Sequence, residues 1–437
     1  MEVNPGKVLV GHQRRSFDIR LWLPQDPASQ TQDSALCLTA SEDGTAKLWN
    51  VGSGKSEYTF KHSKTSEVLR ATFIEGARVI CCCGADGKAA VWSEVAGAPS
   101  VRKYERVCQL DHGEGQIYVC EKLGGDNFET ADDKGGALSG AILTGADDKL
   151  YLWDLAKNAA AEPNCWSFQS LESYKKEHQS QSQAGVEKAT SFGGPRNDED
   201  MAFIFDAKPS STDPWRIAVA LSDGSVRIIN VATTPTSARM PPVDKEGSCQ
   251  CINIGELLCN RKRSSVDGGR GDERNAVPPH STGVCWSPDD SLLVVCLGDG
   301  SAAVIDLASL ERPTLRTLIK AHRSSCYGAR FLPFPQYERS GKAKGRRTES
   351  RKVCATWSSD GSLAMWDLSD CTSEDVTDPI LRHDMKKYPV YACDVLQQVR
   401  PEAPDEPSEL TIALAGGGGE STFLGIPVHI INLVQNL

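Results

Sequence analysis

The chain has 437 residues, 48 of them basic and 58 acidic, and its net charge of -10 argues against general nucleic-acid or membrane-surface binding. No apolar run approaches the roughly 18 residues of a membrane span, and the opening MEVNPGKVLVGHQRR has no apolar stretch behind a basic start, so a cytosolic or nuclear protein is expected. The 16 cysteines lie mostly inside apolar runs such as VICCCGA, GVCWS and LLVVCLG; no CxxC occurs, and the nearest approaches to a ligand pair are Cys81 with Cys83 and Cys249 with Cys251. They read as small core hydrophobes, and neither a metal nor a cofactor is expected.

Taken from the N-terminus, the chain opens on a short apolar run, Lys7 to Val10, and then repeats one pattern: an apolar run, a tight turn containing Asp-Gly, a second short apolar run, and Trp-Asp or a substitute. The copies read LTASEDGTAKLWN, CCGADGKAAVW, LTGADDKLYLWD, VALSDGSVRIIN, VCLGDGSAAVID and TWSSDGSLAMWD, followed by a degenerate IALAGGGGESTFLGIPVHIIN. Each predicts a hairpin: β-branched and apolar residues alternate into the turn, and in five copies Asp-Gly supplies the positive φ that a two-residue loop needs. Two further short apolar runs flank each hairpin, which makes about four strands per unit. The Trp positions are Trp49, Trp92, Trp153, Ile229, Ile305, Trp366 and Ile431, at spacings of 43, 61, 76, 76, 61 and 65 residues.

From Val8 to Leu433 this recurring pattern resembles the WD-repeat (WD40) family. The resemblance implies an all-β fold, a seven-bladed β-propeller forming a single domain over 7–434. The family's blade takes about 40 to 45 residues, so the longer spacings carry polar, glycine-rich or charged insertions, placed at about 124–139, 172–200, 232–248, 259–279, 334–352, 398–409 and 416–426. The last strand, VHIINLV, leaves its blade without an outermost strand; Lys7 to Val10 is expected to supply it and close the ring.

The family also places a His before the first strand of each blade and joins it to a strand Ser or Thr, the turn Asp and the Trp indole, a buried network whose members all need partners. His12, His62, His112, His322 and His383 stand about where that motif wants them, and His280 about three residues late. The resemblance implies complete networks in three blades: His12, Thr39, Asp43 and Trp49; His112, Thr144, Asp148 and Trp153; His322, Thr356, Asp360 and Trp366. A His beside an Asp is also the pattern of a catalytic pair, but its repetition at blade spacing makes it structural. The run Gly54, Lys55, Ser56 ends like a phosphate-binding loop, yet the first glycine of that motif would fall at Trp49. GxSxG, HExxH and GxGxxG in the right strand and helix context do not occur, and no enzyme is expected.

Function is therefore expected on faces and inserts: a non-enzymatic scaffold for protein-protein interactions in a multiprotein complex, monomeric outside it. Five residues after the blade His, the family's first strand reaches the narrow face beside the channel. Phe17, Tyr327 and Tyr388 hold that position in blades one, six and seven, neighbours once the ring closes, and are candidate partner-binding anchors or else packing between blades. The insert Arg339 to Lys352, which contains Arg346 and Arg347, has seven basic residues and one acid. It suits RNA or an acidic partner. Two rival readings stay open. One is a substrate receptor of a cullin-RING ubiquitin ligase, although Trp153-Asp154-Leu155-Ala156 and Trp366-Asp367-Leu368-Ser369 lack the Arg that such receptors often carry. The other is an RNA-associated assembly factor using the basic blade-six loop.

Overall fold

Alternation around the Asp-Gly turns becomes hairpins, and the flanking apolar runs add one strand on each side, giving seven four-stranded antiparallel sheets. The computed structural model describes residues 2–24, 34–95, 102–113, 115–123, 140–155, 163–170, 201–230, 249–265, 279–309, 312–333, 351–369, 371, 375–385, 388–398, 409–417 and 426–434. The innermost strands of blades one to seven are Ser16–Trp22, Val68–Ile74, Ile117–Leu123, Ile204–Pro209, Ser281–Trp286, Cys326–Phe331 and Val390–Gln398. In five of the hairpin turns a glycine takes the positive φ, as at Gly44 with 78°. Blade three has no glycine there, and Asp147 adopts 50° instead, a conformation that Asp tolerates better than most residues.

The first strand of the chain, Glu2–His12, pairs antiparallel with the last, Ile426–Val434, and forms the outermost strand of blade seven. The expected closure is thus present, over a longer strand than the run Lys7 to Val10 suggested. Seven apolar cores hold the ring, one at each joint between neighbouring blades. The joint between blades seven and one takes Leu9 from the N-terminal strand, Trp49 from blade one and Val428 from blade seven, each at most 1% exposed. Burying such side chains stabilises by roughly 1.5–3 kcal/mol apiece, so the closing strand is held by packing as well as by its ladder. Seven sheets packed into a ring and stapled this way leave every joint between neighbouring blades filled by a packed core.

One helix, Ile254–Ser265, follows the outer strand of blade four where an insertion was expected to begin. Its start is capped: Asn253 Oδ1 accepts the Glu256 N–H at 3.2 Å, and Asn253 Nδ2 reaches Glu256 Oε2 at 3.4 Å. Leu257 and Leu258 lean on the core between blades four and five. The remaining insertions fall almost wholly outside the described residues, and so do Arg346 and Arg347. The end of the basic insert is described. Arg351 Nε meets Asp367 at 2.7 Å and Lys352 Nζ meets Asp289 at 2.8 Å, which ties this end to blades six and five.

Candidate interaction surface

The buried networks take up three of the eight histidines. In blade one His12 Nε2 lies 2.7 Å from Thr39 Oγ1, which accepts the Trp49 indole N–H at 2.8 Å, while His12 Nδ1 meets Asp43 at 2.9 Å. Blade six repeats the His322, Thr356 and Trp366 contacts at 2.9 Å each, but Ser362 stands between ring and carboxylate: Nδ1 to Ser362 Oγ is 2.8 Å, and that hydroxyl donates to Asp360 at 2.5 Å. In blade three His112 meets Thr144 at 2.6 Å and Trp153 donates to Thr144 at 2.8 Å, but the Nδ1 partner is the Gly87 carbonyl at 3.2 Å. Asp148 does not fill that place, because the shorter turn of blade three shifts its carboxylate. Burial lowers the pKa of His112 to about 4 and also lowers His12. Both rings are therefore neutral parts of the frame near pH 7.

Two histidines sit differently from expectation. His62, His112 and His322 each donate their backbone N–H to the turn glycine of the preceding blade, Gly44, Gly87 or Gly300, at 3.2, 2.9 and 3.0 Å. The residue doing this for Gly361 is Met385, at 2.8 Å, and His383 lies two residues earlier in the outer strand, opposite Leu363. Counting five residues from His383 accordingly misplaces Tyr388, which is half-buried in the turn before the first strand of blade seven. His280, the late one, puts Nδ1 on the Ser222 carbonyl and its ring beside Phe205 at 6.1 Å.

Every innermost strand breaks register once near its start, and the residue left out of the ladder is Phe17, Leu69, Tyr118, Phe205, Thr282, Tyr327 or Tyr391. A bulge re-aims one side chain and leaves it unpaired. Seven bulges in a ring therefore set seven side chains around one end of the channel, five of them aromatic. Phe17 and Tyr391 are 5.6 Å apart between centroids, as are Tyr391 and Tyr327, so blades one, seven and six share a continuous strip of three rings. Tyr391 is the member that sequence counting missed. Its carbonyl accepts the buried Trp357 indole N–H at 3.1 Å, which fixes the strip from below. Tyr327 is 37% exposed, while Phe17 and Tyr391 are half-buried.

Below this mouth the channel is charged and internally paired. Arg20 of blade one reaches Glu121 of blade three at 2.6 Å, Lys208 of blade four bonds the same carboxylate, and Arg330 meets Asp394 at 2.5 Å. Burial opposes ionisation of Glu121, but the pull of Arg20 and then of Lys208 wins and holds its carboxyl at about 2. The Arg20, Glu121 and Lys208 bridge spans the bore. Asp394 also accepts the Leu21 N–H at 2.7 Å, Asp18 accepts Ala71 N–H at 3.1 Å, and Asp206 accepts Val284 N–H at 3.2 Å. These carboxylates stitch blade seven to one, one to two and four to five.

One set of metal-ligating side chains gathers elsewhere. Cys81 and Cys83 from blade two meet Cys120 from blade three with all three sulfurs within 4.8 Å, sealed in the core of that joint. Among the described residues this offers three sulfur donors, one fewer than the four of a structural zinc site. The sequence pairs Cys81 with Cys83 but cannot show Cys120 beside them.

The family model described as WD domain, G-beta repeat matches residues 5–50 and 274–306. The first match covers most of the closing strand and three strands of blade one; the second covers three strands of blade five. No curated protein matches the chain.

Proposed function

Because this chain belongs to the WD-repeat family, we propose that it is a non-enzymatic scaffold that holds protein partners within a multiprotein complex, chiefly through the channel mouth of blades six, seven and one. The observation that carries the reading is the aromatic strip Phe17, Tyr391 and Tyr327, partly open on a frame closed by seven packed joints. Aromatic side chains held rigidly at a surface lose little entropy on binding and are enriched among binding hot spots. Arg20, Glu121, Lys208, Arg330 and Asp394 support the same view, since each is engaged in an ion pair between blades. A reducing compartment, cytosol or nucleus, suits a chain whose 16 cysteines are free thiols. No helix among the described residues is long and apolar enough to cross a membrane. The RNA reading rests on the insert around Arg346 and Arg347, and the ligase reading on the residues after the blade Trp-Asp pairs; the mouth favours neither over other protein partners.

The test is affinity purification with mass spectrometry on wild type beside a Phe17→Ala, Tyr327→Ala, Tyr391→Ala variant with an unchanged melting transition. Specific partners are expected to vanish from the variant. An unchanged partner list refutes the mouth as the working surface.

A further inference from the structure

We infer that the partner segment received at this mouth is acidic, with carboxylates on either side of an apolar side chain. This rests on the mouth being the working surface and adds the chemistry of what enters it. The turn before Phe17 carries Arg14 and Arg15, whose side chains are 64% and 48% exposed, and the turn before Tyr327 carries the exposed Arg323. The acids of the same sector are withdrawn. Glu42 is 16% exposed and bound by both Arg14 and Arg15; Asp43 and Asp360 are 10% and 11% exposed and consumed by the blade networks. Inside the mouth the pattern repeats, for the Arg330 side chain is 40% exposed and that of its partner Asp394 only 4%. Asp384 is open, but it lies on the outer strand of blade six beside Arg382.

Neighbouring groups orient these cations. Arg15 Nε is held by Glu42 at 3.0 Å, and its guanidinium is within electrostatic reach of Tyr391, the middle ring of the strip. Arg323 is held by its backbone, whose N–H bonds Asp360 at 2.9 Å, leaving the side chain outward. Three rings at 5.6 Å centroid spacing make a strip about 11 Å long, the span of roughly three to four extended residues. An apolar residue over the strip then brings acids two or so positions before and after it toward Arg14 and Arg15 on one side and Arg323 on the other. Exposed cations over withdrawn anions give a positive field at the mouth of a chain whose net charge is -10, the local inversion that steers an acidic partner to one place.

A displayed library of random twelve-residue peptides selected on the full chain, and counter-selected on Tyr327→Ala, Tyr391→Ala protein shown to fold, tests this. The selected pool is expected to be enriched in Asp and Glu flanking an apolar residue. Its members should lose affinity on the order of tenfold on an Arg14→Glu, Arg15→Glu, Arg323→Glu chain, and should weaken as salt rises. A pool selected by the wild type but not by the tyrosine variant, with neutral or basic flanks, overturns the acidic assignment and leaves the mouth reading standing. Recovery of the same pool, or of none, from both proteins overturns the mouth reading and the inference with it.

Discussion

In its His, turn Asp and Trp, blade two is built like blades one, three and six except at one residue, and changing that residue measures what the buried network contributes. Cys82 pairs with Ala90 as Thr39 pairs with Lys47, so its thiol stands where the other blades place a threonine hydroxyl. The consequence is visible: Trp92 Nε1 and His62 Nδ1 are buried with no hydrogen-bond partner, and His62 turns Nε2 to Asp86 at 3.0 Å. A buried polar atom left unmatched costs about 1–3 kcal/mol. Cys82→Thr supplies an acceptor for the indole at the 2.8–2.9 Å seen in the other three blades and a hydroxyl for the histidine. Allowing for the added methyl group in a packed core, we expect a net gain of about 1–2 kcal/mol. With ~2.1 cal/mol/K of unfolding entropy per residue, the chain's 437 residues make each kcal/mol worth about 1 °C in Tm. The better assay is therefore the urea midpoint, with Cys82→Val as the shape control and Trp92→Phe as the background that removes the donor. The gain should be absent in the valine variant and largely lost in the phenylalanine background. Equal stability of the threonine and valine variants would show that the hydroxyl is not what holds these blades.

Other consequences can be measured alongside. His112 is held neutral with its pKa down at about 4, against an unfolded value near 6.5, so the unfolded chain binds more protons between these values and stability falls as pH drops through that window. The loss between pH 7 and pH 5 should be about 2 kcal/mol from this residue alone, and His112→Gln should remove it from the pH dependence of the urea midpoint. Asp394→Ala removes the acceptor of the Leu21 N–H across the joint where the ring closes, that of the Val395 N–H, and the partner of Arg330 of blade six. A cost of about 2–4 kcal/mol is expected in denaturant melts, and a cost under about 0.5 kcal/mol would mean that packing alone closes the ring. Trp357→Phe deletes the N–H that holds the Tyr391 carbonyl. It should cost about 1 kcal/mol of stability and lower partner recovery several-fold; recovery equal to wild type would show that Tyr391 needs no such anchor.

The architecture was legible because a repeat states its period many times. Asp-Gly turns, Trp positions and the unclaimed apolar run at the N-terminus together determine seven hairpins and the strand that closes them, since each blade can bury its faces only against a neighbour. The threonines of three networks were legible for the same reason. What one strand cannot show is what stands beside it from another blade. Tyr391, Cys120 and the Met385 that takes the histidine's place lie at positions set by register, and a bulge or a two-residue difference in a turn moves them without altering composition. The capped helix at Ile254–Ser265 had its signal in Asn253 and Glu256, concealed by the polar insert it leads into. The sequence by itself determined the ring and its hydrogen-bonded frame, because these follow from local periodicity. Only the tertiary structure decided which aromatic rings meet at the mouth and which arginines are exposed above them, because those depend on how seven bulged strands converge on one axis.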